Sequence, residues 1–305
     1  MDAAPDRYWR PGLLASIEAE FFALRRRAPN LAVAYRNAFT HAAGPHAIAR
    51  LDAIWRAGEH LIAAMDRASH DGELAYHNRH HVVEVVLAMG WLCGAARRMG
   101  AVSSEEAALG VVAMVGHDLL HDGSPPGGGV MEARSADAVA LATASVPLDA
   151  RQRAILRDVI LGTDPGRVAG NQARAAGELP PGPHGHGVDL VIAMANEADV
   201  FSSMLPNLGL HLTHRLADER AHAGHGWAAD IADPGSRLAF LTTYARLTPA
   251  ARELGLAELQ GWQAAASAEV IAASRDGGDP IATRPARGAD RHFIAALRRV
   301  APVAD

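Results

Sequence analysis

Along most of the chain, apolar residues recur at spacings of three and four, the pattern of helices that each bury one face. No stretch sustains the alternation of apolar and polar positions, bounded by turn signals, that marks a sheet. The pattern predicts helices at 12–28, 46–67, 78–99, 103–116, 130–145, 150–162, 188–204, 207–222, 235–247, 250–273 and 290–300. Arg25, Arg26 and Arg27 close the first and read as a solvated helix end whose cations oppose the C-terminal dipole. Three stretches break the pattern: SPPGGG at 124–129, ELPPGPHGHG at 178–187 and RDGGDPIATRPARG at 275–288. Pro removes donors and Gly admits left-handed backbone, so the first two are loops and the third a linker before the last helix. The expectation is an all-α helical array. Residues 1–68 form a helical extension packed on the core, 69–274 the functional domain, and 275–305 a linker with a C-terminal helix.

Composition narrows the chemistry. A chain of 305 residues, 49% hydrophobic and 21% charged, can bury a substantial core without covalent staples. Its single cysteine, Cys93, excludes a disulfide framework and multi-cysteine metal sites, and it sits in an apolar helix where packing is its role. The sequence has no lysine, which excludes a Walker-type phosphate loop, a Schiff base and a Ser–Lys dyad. The net charge of −5 argues against a nucleic-acid polymer as partner. The longest uncharged apolar run, 85–96, falls short of the ~20 residues that span a bilayer, and the polar N-terminus does not resemble a signal peptide. A soluble, cytoplasmic protein is expected. The stretch 89–99 reads as core or as an interface between copies, which leaves a homo-oligomer open. The 16 His stand out, in a residue suited to metal binding and proton transfer.

Two stretches concentrate that chemistry. On a helix, His77, His81 and Glu84 fall at i, i+4 and i+7, on one face, while Val82, Val83 and Val85 pack elsewhere. Three ionisable groups on one stripe of a buried helix are costly unless they bind something together. In the second stretch, the apolar run LGVVAMV leads into Gly116, His117, Asp118 and, one turn on, His121. There an imidazole and a carboxylate can meet one cation. Taken alone, a His–Asp pair is more often a hydrogen-bonded surface pair; together the two stretches favour a metal. A further carboxylate is required, and the apolar helix at 188–205 offers Asp199 or, second, Glu197. The competing explanation is a salt bridge to Arg. Asp189, near the loop, suits a capping role.

The order YHNxxH, HDxxHxG and then an isolated Asp in an apolar helix resembles the HD superfamily of metal-dependent phosphohydrolases. Within it, the pattern is most similar to the catalytic domain of class I cyclic-nucleotide phosphodiesterases. Tyr76 before the His–Asn pair, Glu84 after His81, and His121 with Gly123 after the His–Asp doublet also match. So do VMEARS, which places Glu132, and ILGTD, which places Thr163 and Asp164. The resemblance covers about residues 70–250.

It implies that His81, His117, Asp118 and Asp199 hold a first metal, zinc or iron. Asp118 would bridge to a second, magnesium or manganese, held otherwise through waters that His121, Glu132 and Thr163 orient, with Asp164 beside them. His77 would be the general acid, Asn78 a residue close to it, and Glu84 the carboxylate that fixes a ligand imidazole. Paired cations acidify a bridging water and neutralise phosphoryl oxygens, and a phosphodiester of a nucleotide-like small molecule is the implied substrate. The leaving alkoxide would take its proton from His77.

One segment departs from the family. Where a Ser-Gln-x-x-Phe pattern supplies a purine-binding glutamine and a clamping phenylalanine, this chain has Ser236, Arg237 and Phe240. A guanidinium only donates hydrogen bonds, whereas an amide both donates and accepts. Arg237 therefore faces an acceptor-rich group or, in the alternative alignment, lies on the surface. His184 and His186 read as mobile loop, and His211, His214, His222 and His225 as solvated. A di-iron oxygenase of the HD type and a non-catalytic nucleotide sensor remain as competing functions.

Overall fold

A computed structural model describes residues 12–68, 73–124, 128–276 and 286–301. Among these the structure is helical, with no strand. In chain order the helices are α1 (Leu13–Arg25), α2 (Leu31–Ala43), α3 (Ala47–Arg50), α4 (Asp52–Ala68), α5 (Arg79–Arg98) and α6 (Ser104–Gly116). There follow α7 (Val130–Ala142), α8 (Ala150–Gly162), α9 (Val168–Ala175), α10 (His186–Asp199) and α11 (Phe201–Met204). The last are α12 (Pro206–His222), α13 (Pro234–Thr243), α14 (Pro249–Glu253), α15 (Leu256–Asp276) and α16 (Ala286–Val300). None is long and apolar enough to cross a membrane.

The centre of the array is α6. Every residue from Ala107 to Gly116 is buried, as expected of a helix that is apolar all round. It packs against α2, α4, α5, α8 and α10. Ser103 and Glu106 form a reciprocal capping box at its start, which fixes where the helix begins. At its other end Gly116 leaves no room for a side chain: a Cβ there would sit 2.4 Å from Val139 Cγ2.

Two helices escaped the sequence pattern. The α2 segment buries Tyr35, Phe39 and five other residues, and lies along α5. Its apolar face is made largely of alanine, so its periodicity is weak. Gly90 and Gly94 of α5 make the contact possible, since a Cβ at Gly90 would come within 2.6 Å of Ala38 Cα. The short α9 buries Asn171 and Gln172 rather than an apolar stripe. Elsewhere expected helices divide, at Leu51 between α3 and α4 and after Asp199 between α10 and α11. The linker expected at 275–288 lies mostly outside the described residues, as does part of the 124–129 loop.

The first helix is tied to the core by buried ionic contacts. Arg25 is not solvated: its side chain is 12% exposed, and Nε and Nη2 donate to Oε1 and Oε2 of Glu84 at 2.5 and 2.8 Å. Glu84, expected to steady a ligand imidazole, spends both oxygens on this fork instead. Glu18 accepts from the backbone N–H of Asn207 and Leu208 at 2.7 and 2.9 Å, which caps α12 with a carboxylate at its positive end. Arg25→Met should destabilise the protein by about 3–5 kcal/mol, because it leaves the Glu84 charge buried without a partner. Changing both residues to Met should restore most of that loss; chemical denaturation of the two variants distinguishes this from a pair of negligible worth.

Candidate metal centre and adjoining cavity

Three helix ends meet at one point. Asn78 caps α5, with Oδ1 accepting from the backbone N–H of His80 and His81 at 3.0 and 3.2 Å. Its Nδ2 donates to the carbonyls of Leu74 and Ala75. Both ends of the amide are thus used to start the helix that carries His81, and Asn78 acts through position. His77 precedes the cap, so the expected stripe of His77, His81 and Glu84 does not form. His117 is the C-cap of α6, followed by Asp118, and Asp199 is the last residue of α10. Two helix C-termini, each with partial negative charge, therefore face the same place.

There His81, His117, Asp118 and Asp199 offer four ligand atoms that all lie within 4.8 Å of one another. His81 Nε2 stands 3.3 Å from Asp118 Oδ2 and 3.1 Å from Asp199 Oδ1, and His117 Nε2 stands 3.2 and 3.4 Å from the same oxygens. Despite these separations, His81 Nε2, His117 Nε2 and Asp118 Oδ2 are buried without a hydrogen-bond partner. They aim at a shared point rather than at each other, which is how ligands surround a cation. His117 Nδ1 lies 2.9 Å from the Met114 carbonyl and donates its proton there, so Nε2 is the nitrogen turned to the cluster.

The local electrostatics agree. Burial alone would lower the His81 imidazole, but the adjoining carboxylates of Asp118 and Asp199 more than reverse this and hold it at about 9. His117 is raised well above its ordinary value against the same burial. Burial would raise Asp118, yet the imidazoles of His117 and His81 keep it well below the carboxylate range. In this field a divalent cation has only the two imidazole protons to displace. The donor set of two imidazoles and two carboxylates fits a borderline or hard divalent ion. Among the described residues no Arg forms an ion pair with Asp199, whose partners are the two imidazoles. Glu197 turns away, accepting from the Thr248 N–H and hydroxyl at 2.5 and 2.7 Å, and burial pushes it up to about 7. Asp189 accepts from the Gly182 N–H and anchors the preceding loop.

A cavity of about 470 Å³ opens onto this cluster. Tyr76, His77, Asp118, His121, Glu132, Thr163, Asp199, Arg237 and Phe240 all line it. His77 Nδ1 meets Glu219 Oε1 at 2.5 Å, and Glu219 Oε2 accepts the backbone N–H groups of Tyr76 and His77 at 2.8 and 3.0 Å. Burial would raise Glu219, but its hydrogen bond to His77 outweighs that and holds it at about 2. His121, expected across the metal, stacks on His77 with centroids 3.7 Å apart. Its Nδ1 accepts from the Gly123 N–H, and burial next to His77 lowers it to about 4, so His121 is neutral near pH 7. Tyr76 shares a hydrogen bond with Ser203 at 2.9 Å.

The remaining expected residues are placed variously. Glu132 Oε2 is buried without a partner, and burial followed by the nearby acids raises its carboxyl. Thr163 donates to the Ile160 carbonyl. Asp164 accepts from the Gly166 N–H, capping a 3-10 turn at Pro165–Arg167, and does not line the cavity. Arg237 is buried, not on the surface, and Phe240 is half-buried. Two histidines read as loop or solvent are paired: His184 with Asp158 at 3.1 Å and His214 with Asp290 at 2.8 Å.

Glu219 and Arg220 are the residues that sequence reasoning missed. Arg220 is buried, lines the cavity and donates through Nη1 to the carbonyls of Gly123 and Ser124, which pins the turn after His121. A signal existed: Glu219 continues the helical stripe of Leu208, Leu212 and Leu216, where a carboxylate has no solvent to face. No family model matches the chain, and no curated protein matches its sequence. Solved structures do. One is the phosphodiesterase domain of the rhodopsin phosphodiesterase of Salpingoeca rosetta, at 14% identity, TM-score 0.58, over 76% of this chain and 85% of that one. A second structure, of the phosphodiesterase domain of the RhoPDE fusion protein from the same choanoflagellate, gives 13% identity and TM-score 0.60 over 90% and 98%. The chain thus has the all-α fold of these phosphodiesterase domains.

Proposed function

We propose that this protein is a metal-dependent phosphoric ester hydrolase that cleaves a phosphodiester of a nucleotide-like small molecule. The observation that carries this reading is the convergence of His81, His117, Asp118 and Asp199, three of whose ligand atoms are buried with nothing to bond. The likeness in fold to phosphodiesterase domains supports the ester class. Residues 69–274 hold every residue assigned a role.

His81, His117, Asp118 and Asp199 would hold a first ion, zinc or iron, and Asp118, which lines the cavity with Glu132 and Thr163, would also serve a second, magnesium or manganese. Such ions, when bound, neutralise phosphoryl charge and lower the pKa of the attacking water. The chain's own residues manage the other half of the reaction. Glu219 takes the proton of His77 Nδ1 into a hydrogen bond, so an imidazolium at His77 has its transferable proton on Nε2. That proton goes to the leaving oxygen as the P–O bond breaks. Neutral His121, stacked on the ring, fixes its plane and accommodates its charge. Arg220 adds a guanidinium to the wall that meets an anionic substrate.

Stripping metal with a chelator should abolish hydrolysis of bis(4-nitrophenyl) phosphate, and manganese, or zinc with magnesium, should restore it. Asp118→Asn should lose more than the roughly 10–100-fold typical of residues that only orient a ligand. Turnover that survives both treatments belongs to a different site, and two irons with oxygen uptake but no ester cleavage would mark an oxygenase.

His77→Asn should slow hydrolysis of esters with alkoxide leaving groups by about 10²–10⁴-fold. It should slow 4-nitrophenyl esters far less, since nitrophenolate leaves without a proton. Glu219→Gln should show the same asymmetry, more weakly. Equal losses on both ester types would remove His77 from the role of proton donor.

A further inference from the structure

Gly162 ends α8, and its carbonyl is among those that a helix end leaves without a partner inside the helix. Two buried amides take it. Asn196 Nδ2 donates to it at 2.7 Å and Asn171 Nδ2 at 2.9 Å. Asn171 Nδ2 also donates to Asn196 Oδ1 at 2.9 Å, so the two amides are joined to each other as well. A carbonyl oxygen only accepts, which obliges both side chains to turn their nitrogens toward it. Both asparagines are buried, and the three bonds are made away from solvent.

The contact joins two stretches on which the site depends. Asn196 lies on α10 about one turn before Asp199. Thr163, which lines the cavity, follows Gly162 directly and caps α8. Gly162 is also where α8 comes against α10, since a Cβ there would meet Ile192 Cγ2 at 2.5 Å. The Thr163 hydroxyl donates to the Ile160 carbonyl at 2.8 Å, so it has only lone pairs left to offer. It can therefore accept from a donor in the cavity, which suits a cation that keeps part of its water shell. The other members of the cluster are carried elsewhere, His81 by α5, and His117 and Asp118 by the end of α6.

We propose that Asn196 and Asn171 are positioning residues for the second, hydrated ion. By clamping the Gly162 carbonyl to the turn of α10 that ends in Asp199, they set where the Thr163 hydroxyl stands against the metal cluster. This rests on the reading of that cluster as the metal centre of a hydrolase. Without the clamp, the end of α8 still packs on Ile192 but loses the bonds that hold its last carbonyl, and Thr163 loses register with Asp199. The first ion, surrounded by four side chains, tolerates that change; the second, held through water, does not.

The test uses the full chain loaded with zinc and titrated with manganese, with free manganese read from its electron paramagnetic resonance signal. Asn196→Leu, close in shape but without polar atoms, should keep its zinc by elemental analysis. It should bind manganese at least about tenfold more weakly, the lower end of the loss seen when a residue that orients a ligand is removed. Thr163→Val should do the same. The double variant should be no weaker than either single one, because both residues reach the ion through one contact. Asn171→Leu takes over if Asn196→Leu fails to melt cooperatively, and should weaken manganese binding in the same direction. Lost stability with unchanged manganese affinity overturns the proposal, as do additive losses in the double variant or zinc lost together with manganese. Turnover of bis(4-nitrophenyl) phosphate is followed alongside. Ester cleavage by the wild type, with variants that bind manganese normally, sinks this inference alone. A wild type that binds both metals, with the expected losses in the variants, but cleaves no ester sinks the hydrolase reading instead.

Discussion

The arrangement depends on a cluster that is electrostatically incomplete. Two imidazole nitrogens and two carboxylate oxygens come together inside the protein, close enough to interact and yet aimed between one another. Burying such groups is expensive unless something cationic sits among them. The ends of α6 and α10 add their partial negative charge to the same spot, so the backbone and the side chains make the same demand.

Around that cluster, buried carboxylates act as joints. Glu219 binds two backbone N–H groups and the His77 ring, which fixes the turn before α5 as firmly as Asn78 fixes its first residues. Glu18 caps the helix that carries Glu219, and Glu84 joins the helix that carries His81 to Arg25. Each acid is matched by N–H donors in place of water, and this makes a buried charge tolerable. The helices that present the cluster are thereby aligned by ionic contacts as well as by packing.

Much of this was legible in the chain, for identifiable reasons. His81, His117 and Asp118 sit in short local patterns, and Asp199 is one of the few carboxylates on a largely apolar helix. The helical class follows from spacing alone. What escaped depends on contacts between distant residues. The fate of Glu84 is set by Arg25, 59 positions away, and that of His77 by Glu219, 142 positions away. Local periodicity cannot see such partners. Nor could it find α2, whose alanine-rich face lacks contrast, or know that α5 starts at Arg79 and leaves His77 outside the helix.

The close approach of α2 and α5 has a mechanical consequence. Gly90 touches the backbone of Ala38, so the two helix axes are in near contact there, with no side chain to act as a cushion. His81 is on the same rod nine residues away, roughly 13 Å along the axis. The crossing is a fulcrum: a methyl wedged into it would tilt the rod, and a small rotation at that hinge becomes a displacement at the tip that holds the imidazole. Small residues remote from the cluster thus set the tolerance to which its geometry is machined.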